Sequence, residues 1–138
     1  MKYMILTYGS QHDYDRMVGK APDAPQLGPD DFAPLHAFMT AFNRDLEESG
    51  ELVETRALVA PVHTRRLELK DGVPVVTDGP YAETTEVLAG YWIVECDSFD
   101  RATEIAARMS RCPNPGGVFV NPVADVRPIA ESMGELDG

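Results

Sequence analysis

Asp71-Gly72 separates two runs of strand-forming residues, Arg65 to Lys70 and Val73 to Thr77. A two-residue antiparallel reversal needs positive φ at both turn positions, and Asp-Gly meets that need at little steric cost. The pair therefore predicts a hairpin in the middle of the chain, and the rest of the fold must be arranged around it. Pro74 cannot donate to a ladder, so its strand is expected to lie at an edge or to turn that position outward.

The same order occurs on each side of the hairpin. Before it, Lys2 to Tyr8 is rich in β-forming types, Leu35, Phe38, Met39, Phe42 and Leu46 recur at helical spacing, and Leu52 to Val59 reads as a strand. The helix is predicted from about Asp31 to Ser49, with Asp30 or Asp31 as its cap, Pro34 in the first turn and Gly50 closing it. After the hairpin, Tyr91 to Cys96 is a strand, and Asp97 or Ser98 caps a second helix whose Ala102, Ile105, Ala106 and Met109 form one stripe. Val118 to Val120 reads as a short extended piece and Val123 to Ile129 as a last strand. Alternation sends Tyr91 and Ile93 to the face opposite Trp92 and Val94, and separates Ala124 and Val126 from Asp125 and Arg127. Gly9 to Pro29, broken by Pro22 and Pro25, reads as a long loop of the kind that serves as a lid or binding segment.

The resulting order, β-α-β, hairpin, β-α-β, predicts an α+β fold: a ferredoxin-like split βαβ sandwich with an inserted β-hairpin and both helices on one sheet face. A single domain is expected over residues 1–130, followed by an acidic tail, 131–138, that frays. The sheet's second face also carries apolar groups, so a homodimer is expected to cover it.

A formal charge of −11 repels a phosphate backbone, and the basic residues are scattered among acids, so no nucleic-acid partner is expected. No apolar run reaches the roughly 20 residues that cross a bilayer, so no membrane partner is expected, and Met1 to Tyr8 reads as a strand rather than a signal peptide. Cys96 and Cys112 lack C-x-x-C spacing and read as reduced thiols of a cytoplasmic protein.

Chemistry concentrates after the hairpin, in Asp78-Gly79-Pro80-Tyr81-Ala82-Glu83-Thr84-Thr85-Glu86. On one reading this is a turn: Asp78 accepts from the following amides, Gly79 supplies an unusual φ and Pro80 fixes the exit. On the other, Asp78 is catalytic and Tyr81, Glu83 and Glu86 bind ligand, because clustered carboxylates and a phenol supply an acid and base pair or a hard-metal site. With no ordered His/Asp/Glu triplet, no metal is expected; no cofactor is expected either. His36 is a candidate base on the predicted helix, with Asp45 or Glu48 to orient a partner, or else a solvated helix position. His63 is a candidate ligand contact, and His12 lies in the long loop. Tyr91, Trp92 and Phe99 suit packing first and stacking on a planar ligand second.

The stretch Val76 to Thr84, leading into Gly90-Tyr91-Trp92-Ile93-Val94-Glu95, resembles the DGPF group of the YCII-related proteins. The resemblance extends from Met1-Lys2-Tyr3-Met4 through Phe42-Asn43 to Val126-Arg127-Pro128-Ile129, with Tyr81 in place of the eponymous Phe and Thr85 where Lys is common. It implies a dimeric α/β barrel with a cleft between sheet and helices. It also implies acid-base chemistry through a His and a carboxylate, for which Met39 stands nearest the family's His and His36 lies one turn earlier. On that footing the expected function is a cofactor-independent acid-base enzyme acting on a small carbonyl or lactone-like metabolite. The alternative is a non-catalytic ligand-binding or regulatory module linked to an extracytoplasmic-function sigma factor.

Overall fold

A computed structural model describes residues 1–137, without the side chain of Asp137. Four strands, β1 (Lys2–Gly9), β2 (Leu52–Ala57), β5 (Val87–Glu95) and β6 (Ala124–Pro128), form an antiparallel sheet in the order β2-β5-β1-β6. The long helices α2 (Ala33–Glu48) and α3 (Phe99–Met109) supply the crossovers, so the ferredoxin-like topology is the one the chain adopts. Between β2 and β5 the hairpin strands β3 (Arg65–Lys70) and β4 (Val73–Asp78) make a separate two-stranded sheet. Asp71 and Gly72 have φ of 52° and 77°, as the Asp-Gly turn requires.

The core lies between one sheet face and the helices. Tyr3, Ile5, Trp92 and Val94 meet Phe42 and Leu46 of α2 and Ala102, Ile105, Ala106 and Met109 of α3, all buried. Phe42 is fully enclosed, with its ring edge-on to Trp92 at 5.9 Å and stacked on Phe38 at 6.1 Å. The apolar stripe of α2 divides along its length. Phe42 and Leu46 enter the core, whereas Leu35 and Met39, nearer the N-terminus, face a cleft. Ser98 caps α3 by accepting from the Arg101 amide, and Arg101 in turn forks onto Glu51 at 2.8 Å through both Nε and Nη2.

The other sheet face carries Met4, Leu6, Tyr91 and Ile93, which cross-strand pairing places together. Its charged residues balance: Lys2, Arg56 and Arg127 against Glu54, Glu95 and Asp125. Tyr91 donates to Glu54 at 3.1 Å, and Tyr8 to Asp125 at 2.7 Å.

Local signals were overridden at several points. The supposed loop Gly9 to Pro29 contains a helix, α1 (Gln11–Met17), started by a reciprocal capping box between Ser10 and Asp13. The run Asp30-Asp31 does not cap α2 but lies in a 3-10 turn, Pro29–Phe32, that leads into it. β2 stops at Ala57, because Leu58 donates to the Ala89 carbonyl and Pro61–His63 then forms a 3-10 turn. Val118 to Val120 is not a strand: Val118 is buried, and Asn114 holds the segment by bonding both backbone groups of Phe119. The tail is a 3-10 turn at Met133–Asp137, where the Glu135 carboxylate accepts from the Glu131 amide at 2.6 Å.

Candidate functional site

A cleft of about 380 Å³ opens between the sheet and the helices, within the size range of small-molecule sites. It forms where the sheet and the α2 stripe diverge above Phe42, so that Leu35, Met39 and Trp92 become its walls. Tyr14 and Met17 of α1 close one side, and Cys112, Phe119 and Ala124 the other. A bulge opposite Thr7 and Tyr8 helps shape its floor: Thr7 pairs with Gly90 and Tyr8 with Leu88, leaving Ala89 over. Every lining residue is uncharged.

The cleft's polar groups are few and already engaged. The Tyr14 hydroxyl donates to the Leu58 carbonyl at 2.9 Å, and Thr7 Oγ1 to the Gly90 carbonyl at 3.1 Å. Trp92 Nε1 donates to Asn43 Oδ1 at 2.8 Å, which fixes the indole as a wall. Burial pushes the Tyr14 phenol and the Cys112 thiol up from their ordinary values, so both stay protonated at neutral pH. They can act as neutral hydrogen-bonding groups, not as bases.

None of the candidate catalytic and ligand-binding residues Asp78, His36, Tyr81, Glu83, Glu86 and His63 lines this cleft, although Trp92, read as a packing or stacking group, forms one of its walls. Asp78 is exposed and accepts from Arg65 Nε at 3.0 Å across the hairpin, rather than from the amides that follow it. Gly79 does take a positive φ, 55°, while its amide donates to the Thr64 carbonyl at 2.8 Å. Tyr81 lies under the Arg66 guanidinium, 5.0 Å from its ring centre. Glu86 accepts from Asn121 at 3.2 Å. His36 and His63 are both exposed, and among the described residues neither makes a side-chain hydrogen bond or ion pair with Asp78.

The histidine that the fold does place among charged partners is His12, on α1. Its Nδ1 meets Glu83 Oε1 and its Nε2 meets Asp23 Oδ2, both at 3.2 Å, while its amide donates to the Glu83 carbonyl at 3.0 Å. Arg16 also reaches Asp23, at 2.9 Å, and the Gly117 carbonyl at 3.2 Å. Only an imidazolium can donate from both ring nitrogens, so His12 acts as a charged clasp tying two loops to α1. The sequence did contain a signal for this helix, because Ser10-Gln11-His12-Asp13 has capping-box spacing. Asp13 is buried, where it also accepts from the Val120 amide at 3.4 Å.

Hydrogen bonds from Glu83 and then Asp23 raise the His12 pKa, and His12 in turn is the main cause that lowers Asp23. The signs set a window. The contribution of His12 is complete below the unfolded value of about 6.5 and is lost as pH rises through the raised folded value. That of Asp23 is complete above its unfolded value of about 3.9 and is lost as pH falls through its depressed one. The stability difference between wild type and His12→Gln is therefore expected to be greatest at about pH 4 to 6.5 and to shrink above it. Urea midpoints measured across pH check this; a difference that did not change with pH would contradict the clasp.

Among the described residues, no group of three or more His, Cys, Asp or Glu side chains is placed to hold a metal ion. Nor is any helix among them long and apolar enough to cross a membrane.

The topology and the cleft define a ferredoxin-like α+β protein with an uncharged cavity between sheet and helices. The chain belongs to the YCII-related family, whose domain model matches residues 1–127. It is also similar to an uncharacterized protein of Rhizobium meliloti (strain 1021), 34% identical over 91 residues, which span 65% of this chain and 73% of that one.

Proposed function

We propose that this YCII-related protein binds a small, neutral, largely apolar metabolite in the cleft between sheet and helices. The observation that carries this reading is the lining. Apolar and aromatic groups dominate it, and no lining residue is charged. A charged ligand there would lose its hydration without gaining a counter-charge, whereas a neutral one gains from apolar burial. Tyr14 and Cys112, kept protonated and with their hydrogens donated to the Leu58 and Pro113 carbonyls, leave the phenol oxygen able to accept from a hydroxyl on such a ligand.

A cofactor-independent acid-base enzyme acting on a carbonyl or lactone-like metabolite is the second reading. It is favoured by the same preference for neutral molecules but opposed by the position of Asp78 and His36 outside the cleft. A homodimer covering the outer sheet face, in the cytoplasm and beside a sigma-factor pathway, belongs to the same proposal. Its support is the apolar, charge-balanced face and an acidic surface suited to basic partners.

Trp92 is the chain's one tryptophan, so its indole N–H gives a single NMR resonance at the cleft wall. Titration with benzyl alcohol, cyclohexanone and γ-lactones is expected to shift that resonance saturably, with Kd below about 1 mM, and benzoate is expected to leave it unmoved. Equal response to benzoate, or no saturable shift with any neutral compound, would overturn the binding reading.

A further inference from the structure

Residues paired across strands point to the same face of a sheet, so the register shows the cleft floor row by row. One row crosses all four strands of the main sheet through Thr55, Trp92, Ile5 and Val126. The next, through Ala57, Gly90, Thr7 and Ala124, holds nothing larger than threonine, and all but Gly90 line the cleft. The cleft is thus the volume that side chains give up from one row to the next, and its floor is level. At the centre of that row a Cβ on Gly90 would crowd the Arg56 carbonyl at 3.1 Å, so the backbone itself keeps the floor low there. Three aromatic residues stand around it, each held in place: the Trp92 indole by Asn43, the Tyr14 phenol by the Leu58 carbonyl, and Phe119 through its backbone by Asn114. Met17, Met39 and Met109 add three thioethers to the lining. Thioethers and aromatic rings both favour contact with an aromatic ring over a saturated one of the same size.

We propose that the cleft selects a flat, fused two-ring aromatic alcohol, a narrowing that rests on the neutral-ligand reading above. A planar ring system meets a level floor over its whole face, whereas a saturated one is puckered and touches it at a few hydrogens. An apolar cavity of about 150 Å³ accommodates benzene, so a cleft of about 380 Å³ has room for a second ring. The anchored aromatic residues lose little freedom when such a ligand enters. The ligand hydroxyl is assigned to Tyr14, whose oxygen can accept while its own hydrogen stays on the Leu58 carbonyl.

The test titrates the full chain with 2-naphthol and with decahydro-2-naphthol, which share a skeleton and a hydroxyl but differ in planarity and π character. Transfer from water favours the saturated compound at least as much, because it buries no less apolar surface. Followed by the Trp92 indole resonance, 2-naphthol is nevertheless expected to bind at least about tenfold more tightly. In Tyr14→Phe its affinity is expected to fall at least about threefold while that of naphthalene stays within about twofold, a contrast that general loosening of the site would not produce. Equal or tighter binding of the decahydro compound would overturn the inference and leave the neutral-ligand reading standing. Parallel changes for 2-naphthol and naphthalene in Tyr14→Phe, or none in either, would overturn the assignment of the hydroxyl. No saturable shift with either two-ring compound would also overturn the inference, and none with benzyl alcohol as well would overturn the reading beneath it.

Discussion

Phe42→Ala is expected to lower the free energy of unfolding by about 3–5 kcal/mol. Phe42 has no exposed surface, and its ring is held on three sides: edge-on by Trp92, stacked by Phe38, and by the Arg108 guanidinium at 5.5 Å. Removing the ring leaves a cavity between α2 and the sheet that these neighbours cannot close without giving up their own contacts. The effect should reach the cleft as well, since Trp92 is both the partner of Phe42 and a cleft wall. Denaturant unfolding measures the stability loss, and the Trp92 indole resonance shows whether the wall has moved. A loss below about 1 kcal/mol would mean that the site collapses freely and is not a packed core.

Ala124→Phe is expected to weaken binding of neutral cleft ligands at least tenfold while costing only about 1–3 kcal/mol of stability through overpacking. Ala124 lies on β6 opposite Thr7, lines the cleft, and packs beside the core without being fully buried. A strand fixes the direction of its side chains, so a ring introduced there occupies cleft volume rather than swinging into solvent. Chemical-shift titration gives the affinity and a thermal melt the stability. If ligands bound as tightly as before to a folded variant, the cleft would not be their site.

Much of the framework was legible because its signals are local. The hairpin followed from Asp71-Gly72, the face of Trp92 and Val94 from alternation, and the face of α3 from Ala102, Ile105, Ala106 and Met109. Gly79 was legible as a positive-φ position for the same reason. α1 was masked by the Gly- and Pro-rich composition that follows it, although Ser10 and Asp13 encode its start. The α2 stripe gave the right face but could not show that only Phe42 and Leu46 enter the core, because that depends on where the sheet diverges from the helix.

The candidate site is where local reading stopped. Clustering of Asp78, Glu83 and Glu86 in sequence suggested a shared site, yet Asp78 pairs with Arg65, Glu83 with His12 and Glu86 with Asn121. The contact of His12 with Glu83 joins residues 71 positions apart, and Tyr14 reaches Leu58 across 44. By itself the sequence determined the sheet strands to within a few residues, the two long helices, their apolar faces and the Asp71-Gly72 turn, all of which depend on neighbours within a few residues. Only the tertiary structure decided that the carboxylates lie outside an uncharged cleft and that His12 is the clasped histidine. A cavity and a salt-bridge partner are properties of distant segments brought together, and no local period records them.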